Sequence, residues 1–118
     1  MCGRYYIDET TEKEVNSILG NISQNTDTKQ MQSGDIFPSR SALVIKNQNG
    51  HLAADRMTWG FQRIDGKGLL INARAESALD RRTFRDSVLH RRCVIPAKGF
   101  YEWDSSREKF SYEREDGR

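Results

Sequence analysis

The sequence predicts an α+β domain that is β-rich, with mixed but mainly antiparallel strands and short helices. Three observations predict it. Short runs of β-branched and aromatic residues recur between Asn-Gly and Asp-Gly turn signals. Apolar residues fall at helical spacing in only two short segments. A chain of 118 residues suits one small domain better than two. Apolar residues make up 36% and charged residues 31%, so the core is compact but thin.

The elements follow in order. Cys2 to Ile7 reads as a first strand. Thr11 and Glu14 have the spacing of a capping box, and Val15, Ile18, Leu19 and Ile22 follow on one helical face. Gly20 marks the helix end. Residues 23–35 are rich in Asn, Gln, Thr and Ser and read as a loop. Ser41 to Lys46 carries Leu43, Val44 and Ile45, a short buried strand. The turn Asn47-Gln48-Asn49-Gly50 then returns the chain into a second strand through Met57-Thr58-Trp59-Gly60, which makes a hairpin. Asp65-Gly66-Lys67-Gly68 is a further turn, after which Leu69-Leu70-Ile71 runs into Asn72-Ala73-Arg74-Ala75-Glu76. A short helix from Thr83 to Leu89 turns Phe84, Val88 and Leu89 inward. Strands are expected over Cys93 to Pro96, Gly99 to Trp103 and Phe110 to Arg114, with Asp116-Gly117 as a turn. No internal repeat or interdomain linker breaks the pattern.

Charge and cysteine usage narrow the classes. The net charge of +2 is no nucleic-acid signal by itself. Thirteen of the nineteen basic residues are Arg, however, and Arg is the better bidentate phosphate ligand. No apolar run is long enough for a membrane helix, and no signal peptide is recognisable. Cys2 and Cys93 make no metal-ligand spacing, so neither a metal nor another cofactor is expected. Free thiols in a reducing cytoplasm fit this usage, with Cys93 as a buried core thiol. His51 and His90 have no ligand spacing and read as structural or exposed.

Chemistry concentrates in four places. Cys2 follows the start methionine and becomes the first residue once Met1 is removed. An N-terminal Cys carries its amine and thiol on neighbouring carbons. An aldehyde can condense with the amine to an imine, and the thiol can then close a five-membered thiazolidine. The reference amine pKa of roughly 7.7–8.0 and thiol pKa of about 8.5 leave some of each reactive form near neutral pH. The alternative is a small apolar residue at the start of a strand. Asn72, Arg74 and Glu76 alternate, so a strand there puts them on one face and packs Ala73 and Ala75 closely behind. That face is either a site wall, with an amide to orient polar groups and a guanidinium for phosphate, or a solvated strand end. Glu102 lies among Phe100, Tyr101 and Trp103. In a partly apolar pocket its pKa rises and suits acid–base work; facing water it does nothing special. Arg81, Arg82, Arg85, Arg91 and Arg92 bracket the short helix. With Arg4 and Arg74 they form either a basic groove, with Trp59, Trp103 and the tyrosines stacking bases, or a solvated face diluted by Glu76, Asp80 and Asp86.

Four segments occur in a fixed order: Met1-Cys2-Gly3-Arg4, Trp59-Gly60, Asn72-Ala73-Arg74-Ala75-Glu76, and the twelve residues from Arg92 to Trp103, Arg-Cys-Val-Ile-Pro-Ala-Lys-Gly-Phe-Tyr-Glu-Trp. Together they resemble the SRAP family, the SOS response-associated peptidase domain, across nearly the whole chain. The resemblance implies a β-rich SRAP-like fold and binding of single-stranded DNA. It implies a covalent thiazolidine between the N-terminal Cys and the aldehyde of an abasic site, which shields the lesion. By motif match Cys2 is the nucleophile, Asn72 orients its amine or the sugar, and Glu102 is the acid–base group. Arg4 and Arg74 hold phosphates, and Pro38, Trp103, Arg81 and Arg85 complete the expected DNA contacts. The setting implied is cytoplasmic and nucleoid-associated. A peptidase restricted to its own Met1, and a non-covalent single-strand binding module, are the competing readings. The family domain continues with an Ile-His-Asp-Arg-Met-Pro-like segment that has no match here. Residues 1–118 are therefore expected to be an SRAP domain lacking its C-terminal part, completed by a missing segment or a second chain. The usual Asn-Val-Ala-Pro is here Asp35-Ile36-Phe37-Pro38, the usual Trp-Gly-Leu-Ile-Pro is Trp59-Gly60-Phe61-Gln62-Arg63, and Lys98 replaces the Asp common before Gly-Phe-Tyr-Glu-Trp.

Overall fold

A computed structural model describes residues 1–22 and 31–116. Among them are two helices and nine strands: β1 (Arg4–Ile7), α1 (Glu9–Ile22), β2 (Gly34–Ile36), β3 (Ser41–Gln48), β4 (His51–Thr58), β5 (Phe61–Gln62), β6 (Leu69–Leu70), α2 (Arg82–His90), β7 (Cys93–Val94), β8 (Gly99–Trp103) and β9 (Lys109–Glu113). They form an α+β, β-rich fold of open sheets ordered β2-β1-β8-β9, β4-β3-β7 and β5-β6. The ladders between these strands are antiparallel.

Alternation along β1 decides where the core sits. Tyr5 and Ile7 are buried, while Arg4 and Tyr6 point to the opposite face. The buried pair packs with Val15 and Leu19 of α1, Met31, and Ala42 and Leu43 of β3, with Ile36, Ile45, Ala54 and Trp59 at the margin. Burial pushes the Tyr5 phenol up to about 12. Val15 and Leu19 stand one turn apart, so a single stripe of α1 faces the sheets. Ile18, expected on that stripe, is about half exposed, because the stripe is only one residue wide.

The start of α1 differs from the sequence expectation. Asp8 caps the helix, accepting the Thr11 N–H at 2.8 Å, and its carbonyl accepts the Glu12 N–H at 2.9 Å. Thr11 is therefore inside the helix, a turn earlier than a Thr11–Glu14 box would place it. The Thr11 amide holds the Asp8 carboxyl below the usual carboxylate range. At the other end the helix runs through Gly20 to Ile22. Asn16 then ties α1 to the chain before β2: it accepts the Met31 N–H at 3.0 Å and donates to the Met31 carbonyl at 3.2 Å.

Of the expected 23–35 loop, residues 23–30 lie outside the described residues, and Gly34–Ile36 is a strand paired with β1. The β3–β4 hairpin turns on Asn49 (φ 54) and Gly50 (φ 83), both with the positive φ that a two-residue type I′ turn requires. β4 ends at Thr58, so Trp59-Gly60 leaves the ladder. β7 stops at Val94, before Pro96, which has no N–H to give a ladder. Being short, it leaves Cys93 exposed and not in the core. Val88 and Leu89 of α2, expected inward, are also exposed. Gly117 of the last turn lies outside the described residues. No described helix is long and apolar enough to cross a membrane.

The β1–β8–β9 contact depends on one glycine. A Cβ on Gly99 would lie 2.5 Å from the Tyr112 carbonyl oxygen and 2.8 Å from the Tyr6 hydroxyl. Backbone on one side leaves little room to yield. Gly99→Ala is therefore expected to destabilise the fold by about 1–3 kcal/mol, the usual cost of overpacking. A urea unfolding curve checks this; an unchanged midpoint would show that β9 slides away freely.

Candidate functional site

Antiparallel pairing of β1 with β8 sets Arg4 opposite Tyr101. The chain before β1 therefore runs beside the end of β8. The terminal ammonium of Met1 lies 2.7 Å from Glu102 Oε2. Asn72 donates from Nδ2 to the Cys2 carbonyl at 3.0 Å. The Cys2 thiol is half-buried and points back towards the Arg4 carbonyl, 3.5 Å away. Three segments distant in sequence thus meet at the N-terminus: Met1-Cys2, the Asn72 amide on the Cys2 carbonyl, and the Glu102 carboxylate on the Met1 ammonium.

Asn72 owes its position to a neighbouring anchor. Trp59 Nε1 donates to the Ile71 carbonyl at 3.0 Å, and the Trp59 ring lies 5.7 Å from that of Tyr5. The segment is not a strand, contrary to the alternation argument. Residues 71–74 have no regular structure and 75–80 form turns. Asn72 alone is half-buried; Ala73, Arg74, Ala75 and Glu76 are all exposed, so no close packing lies behind the alanines. The site wall consists of Asn72, held by backbone contacts, and not of a three-residue face.

Glu102 likewise departs from the simple picture of an apolar pocket. Its side chain is 28% exposed, and its carboxylate meets an ammonium. Phe100 and Trp103 are each more than a third exposed. What surrounds Glu102 is a charged partner at an open, aromatic-rich strand.

Arg4 stands on the opposite face of β1 from the core. Its guanidinium lies 4.5 Å from the centre of the Phe37 ring, 5.5 Å from Trp103 and 5.8 Å from Tyr101. Arg4 Nη1 reaches Asp35 Oδ2 at 3.4 Å. The Lys109 ammonium sits 4.4 Å from the Tyr101 ring, since Lys109 pairs with Trp103 across the β8–β9 ladder. Tyr6 adds a ring 5.0 Å from Tyr101 and donates its hydroxyl to Glu113. Burial, then this bond, raises the Tyr6 phenol well above its ordinary range. The outcome is a face of cations interleaved with aromatic rings, suited to phosphates and to the flat faces of bases.

Pro38 follows Phe37 in the turn at the rim of this face and is half-buried. Trp103 belongs to the face itself. Arg74, Arg81 and Arg85 are exposed, Arg81 as the N-cap of α2 and Arg85 within it. Among the described residues no hydrogen bond or ion pair joins any of these three to the Cys2 group. The spacing of the sequence does not single out Asp35, Phe37 or Lys109 as members of the face. Lys109 is legible in principle: a turn at residues 104–108 folds β9 back on β8 and brings it opposite Trp103.

A family model described as SOS response associated peptidase (SRAP) matches residues 1–118. The chain is 33% identical over 113 residues to the abasic site processing protein YoqW of Bacillus subtilis (strain 168), covering 87% of this chain and 48% of that protein. It is 31% identical over 111 residues to YoaM of the same organism, also called an abasic site processing protein, covering 87% and 47%. Abasic site processing protein YedK of Escherichia coli (strain K12) is 29% identical over 114 residues, covering 92% and 50%. The chain spans about half the length of these relatives.

Proposed function

The chain belongs to the SOS response associated peptidase (SRAP) family, and from that premise we propose that it acts on DNA carrying abasic sites. It binds single-stranded DNA and joins Cys2 to the aldehyde of an abasic site as a thiazolidine. Relatives named as abasic site processing proteins support the substrate. The observation that carries the chemistry is the meeting of the N-terminus with Glu102 and Asn72.

Loss of Met1 comes first, since until then the Cys2 nitrogen is an amide without a usable lone pair. The closed sugar of an abasic site must then open. Glu102, as the carboxylate, takes the proton of the anomeric hydroxyl and then gives it to the ring oxygen as the ring C–O bond breaks and the aldehyde forms. The Cys2 amine adds to the aldehyde, water leaves, and an imine forms. The thiol adds to the imine carbon while its proton passes to nitrogen, closing the ring. Asn72, by gripping the Cys2 carbonyl, fixes the direction in which amine and thiol point. The Arg4 face takes phosphates and bases of the bound strand.

The direct test uses a strand with one abasic site and the same strand with its aldehyde reduced to the alcohol. A denaturation-resistant adduct is expected with the first alone. Equal adduct with both would remove the aldehyde, and this proposal, from consideration.

Binding offers a separate check. Arg4→Ala is expected to weaken affinity for damaged and undamaged single strands alike, because phosphate contacts carry no base information. The slope of log affinity against log salt should fall by about 0.7 for each phosphate that the variant no longer neutralises. Arg74→Ala is expected to do the same if the exposed guanidinium meets a phosphate. An unchanged salt slope in Arg74→Ala, with a reduced one in Arg4→Ala, would confine the interface to the β1–β8 face.

A further inference from the structure

One buried polar group has no role in the chemistry above. Tyr5 is 7% exposed, and among the described residues its hydroxyl has no hydrogen-bond partner. Buried hydroxyls are nearly always paired, because an unpaired one loses its hydration and gains nothing in return. Tyr5 also lines a cavity of about 250 Å³. A neutral phenol offers both a donor and acceptor lone pairs to whatever meets it there.

The cavity lies where the two larger sheets part, between the edge strand β2 of one and the β3–β4 hairpin of the other. Ile7, Met31, Ile36, Ala42 and Leu43 are its apolar walls. Gln32, Ser33, Asp35, Ser41 and Arg56 supply the polar part. Arg56 pairs with Leu43 across the ladder, so both stand on one face of the hairpin. The walls are fixed by the protein itself. Asn16 holds both backbone groups of Met31, and Glu12 accepts the Ser33 N–H at 2.8 Å.

Size and charge narrow the occupant. The volume of about 250 Å³ falls just below the range of about 300–1,000 Å³ usual for larger ligands, so one or two rings fill it. One acid and one base line it, and their charges cancel. A carboxylate or phosphate would meet Asp35 as well as Arg56, so an uncharged ligand fits better. Apolar walls suit the flat faces of a ring. Tyr5, Gln32, Ser33 and Ser41 suit a ring edge that carries both donors and acceptors. An aliphatic chain has no such edge and leaves the Tyr5 hydroxyl unpaired.

We infer that this cavity binds an uncharged heterocyclic base, a nucleobase by chemical class, with its polar edge on the Tyr5 hydroxyl. Proteins hold extruded bases in this way, by hydrogen bonds to the edge and apolar contact with the faces. Two sources supply that chemistry. One is a free base or nucleoside. The other is a base of a bound strand, since Asp35 lines the cavity and also meets Arg4 of the cation–aromatic face at 3.4 Å. The cavity uses neither Cys2 nor Glu102, so it stands or falls separately from the proposed crosslink.

The experiment reads melting midpoints and dissociation constants for wild type, Tyr5→Phe and Ser41→Tyr. Tyr5→Phe removes the hydroxyl and keeps the ring. Ser41→Tyr crowds the cavity from an exposed strand position, where Tyr is well tolerated. The probes are adenosine, cytidine, benzoate as an anionic control, and two single strands of equal length, one with bases and one built only of a stable abasic analogue. Without any probe, Tyr5→Phe is expected to melt about 3–6 °C above wild type, because it removes an unpaired buried hydroxyl. Adenosine or cytidine should raise the wild-type midpoint and benzoate should not. Nucleoside binding should weaken about tenfold in Tyr5→Phe, the loss of one hydrogen bond, and vanish in Ser41→Tyr. That result assigns the site to a free base. If nucleosides shift nothing, but both variants bind the base-bearing strand more weakly and the baseless strand as wild type does, the occupant is a base of the strand. A Tyr5→Phe midpoint at or below wild type would show that the hydroxyl is satisfied by solvent and overturn the site. So would base-bearing probes that bind all three proteins alike, or none of them.

Discussion

Replacing Cys2 with Ser is expected to abolish the denaturation-resistant adduct with abasic single-stranded DNA. Serine preserves the size of the residue and leaves the N-terminal amine in place. The amine can still condense with the open aldehyde, but the hydroxyl is a far poorer nucleophile than a thiol and does not hold the ring closed. The imine then hydrolyses when the protein is denatured. The geometry makes the requirement sharp, since amine and thiol sit on adjacent carbons and ring closure needs no other residue. The measurement is an intact-mass or denaturing-gel assay on wild type and Cys2→Ser after heating. A wild-type preparation whose mass shows Met1 still attached should also give no adduct, because its terminal amine then lies one residue too far from the thiol. An adduct that survives heat equally in Cys2→Ser, or that forms with Met1 retained, would rule out the thiazolidine.

Much of the fold is legible in the sequence because local rules and tertiary packing agree. The β3–β4 hairpin follows from Asn49-Gly50 between apolar runs, and the alternation of Arg4, Tyr5, Tyr6 and Ile7 separates the core face of β1 from its outer face. Sequence and structure part where two local signals compete. Asp8 and Thr11 both have cap chemistry, and only the position of β1's end decides that Asp8 reaches the Thr11 amide. The alternation of Asn72, Arg74 and Glu76 looks like a strand, but no partner strand pairs with that segment among the described residues, and without a ladder the pattern has no structural meaning. Cys93 follows the same logic: its strand has two residues and leaves the thiol exposed. The candidate site is legible as a set of residues, through Cys2, Asn72 and Glu102. Its geometry is not. Nothing in the spacing of these residues says that Asn72 holds the Cys2 carbonyl or that the terminal amine lies on Glu102, because both contacts come from the pairing of β1 with β8 and from the Trp59 anchor.

Glu102→Gln is expected to slow adduct formation by about 10²–10⁴-fold at saturating protein, the usual contribution of a general acid–base group. Gln keeps the shape of the side chain and can hydrogen-bond the N-terminus, but it cannot carry a proton between the ring oxygen and the anomeric hydroxyl. Single-strand affinity should change little, because the phosphate and base contacts lie on the Arg4 face of β1 and β8, whereas Glu102 meets the N-terminus. A second role needs separating from this one. The carboxylate lies 2.7 Å from the terminal ammonium and could act only by tethering the chain end. A tether acts on the protein whatever form the sugar takes, whereas a proton carrier is needed only while the sugar must open. Single-turnover time courses with an abasic strand and with a strand bearing a simple, non-cyclising aldehyde distinguish the two. A large loss on the abasic strand with near wild-type rates on the open aldehyde assigns Glu102 to ring opening. Equal losses on both would assign it to holding the N-terminus, and equal rates for wild type and Glu102→Gln on both would remove it from the mechanism.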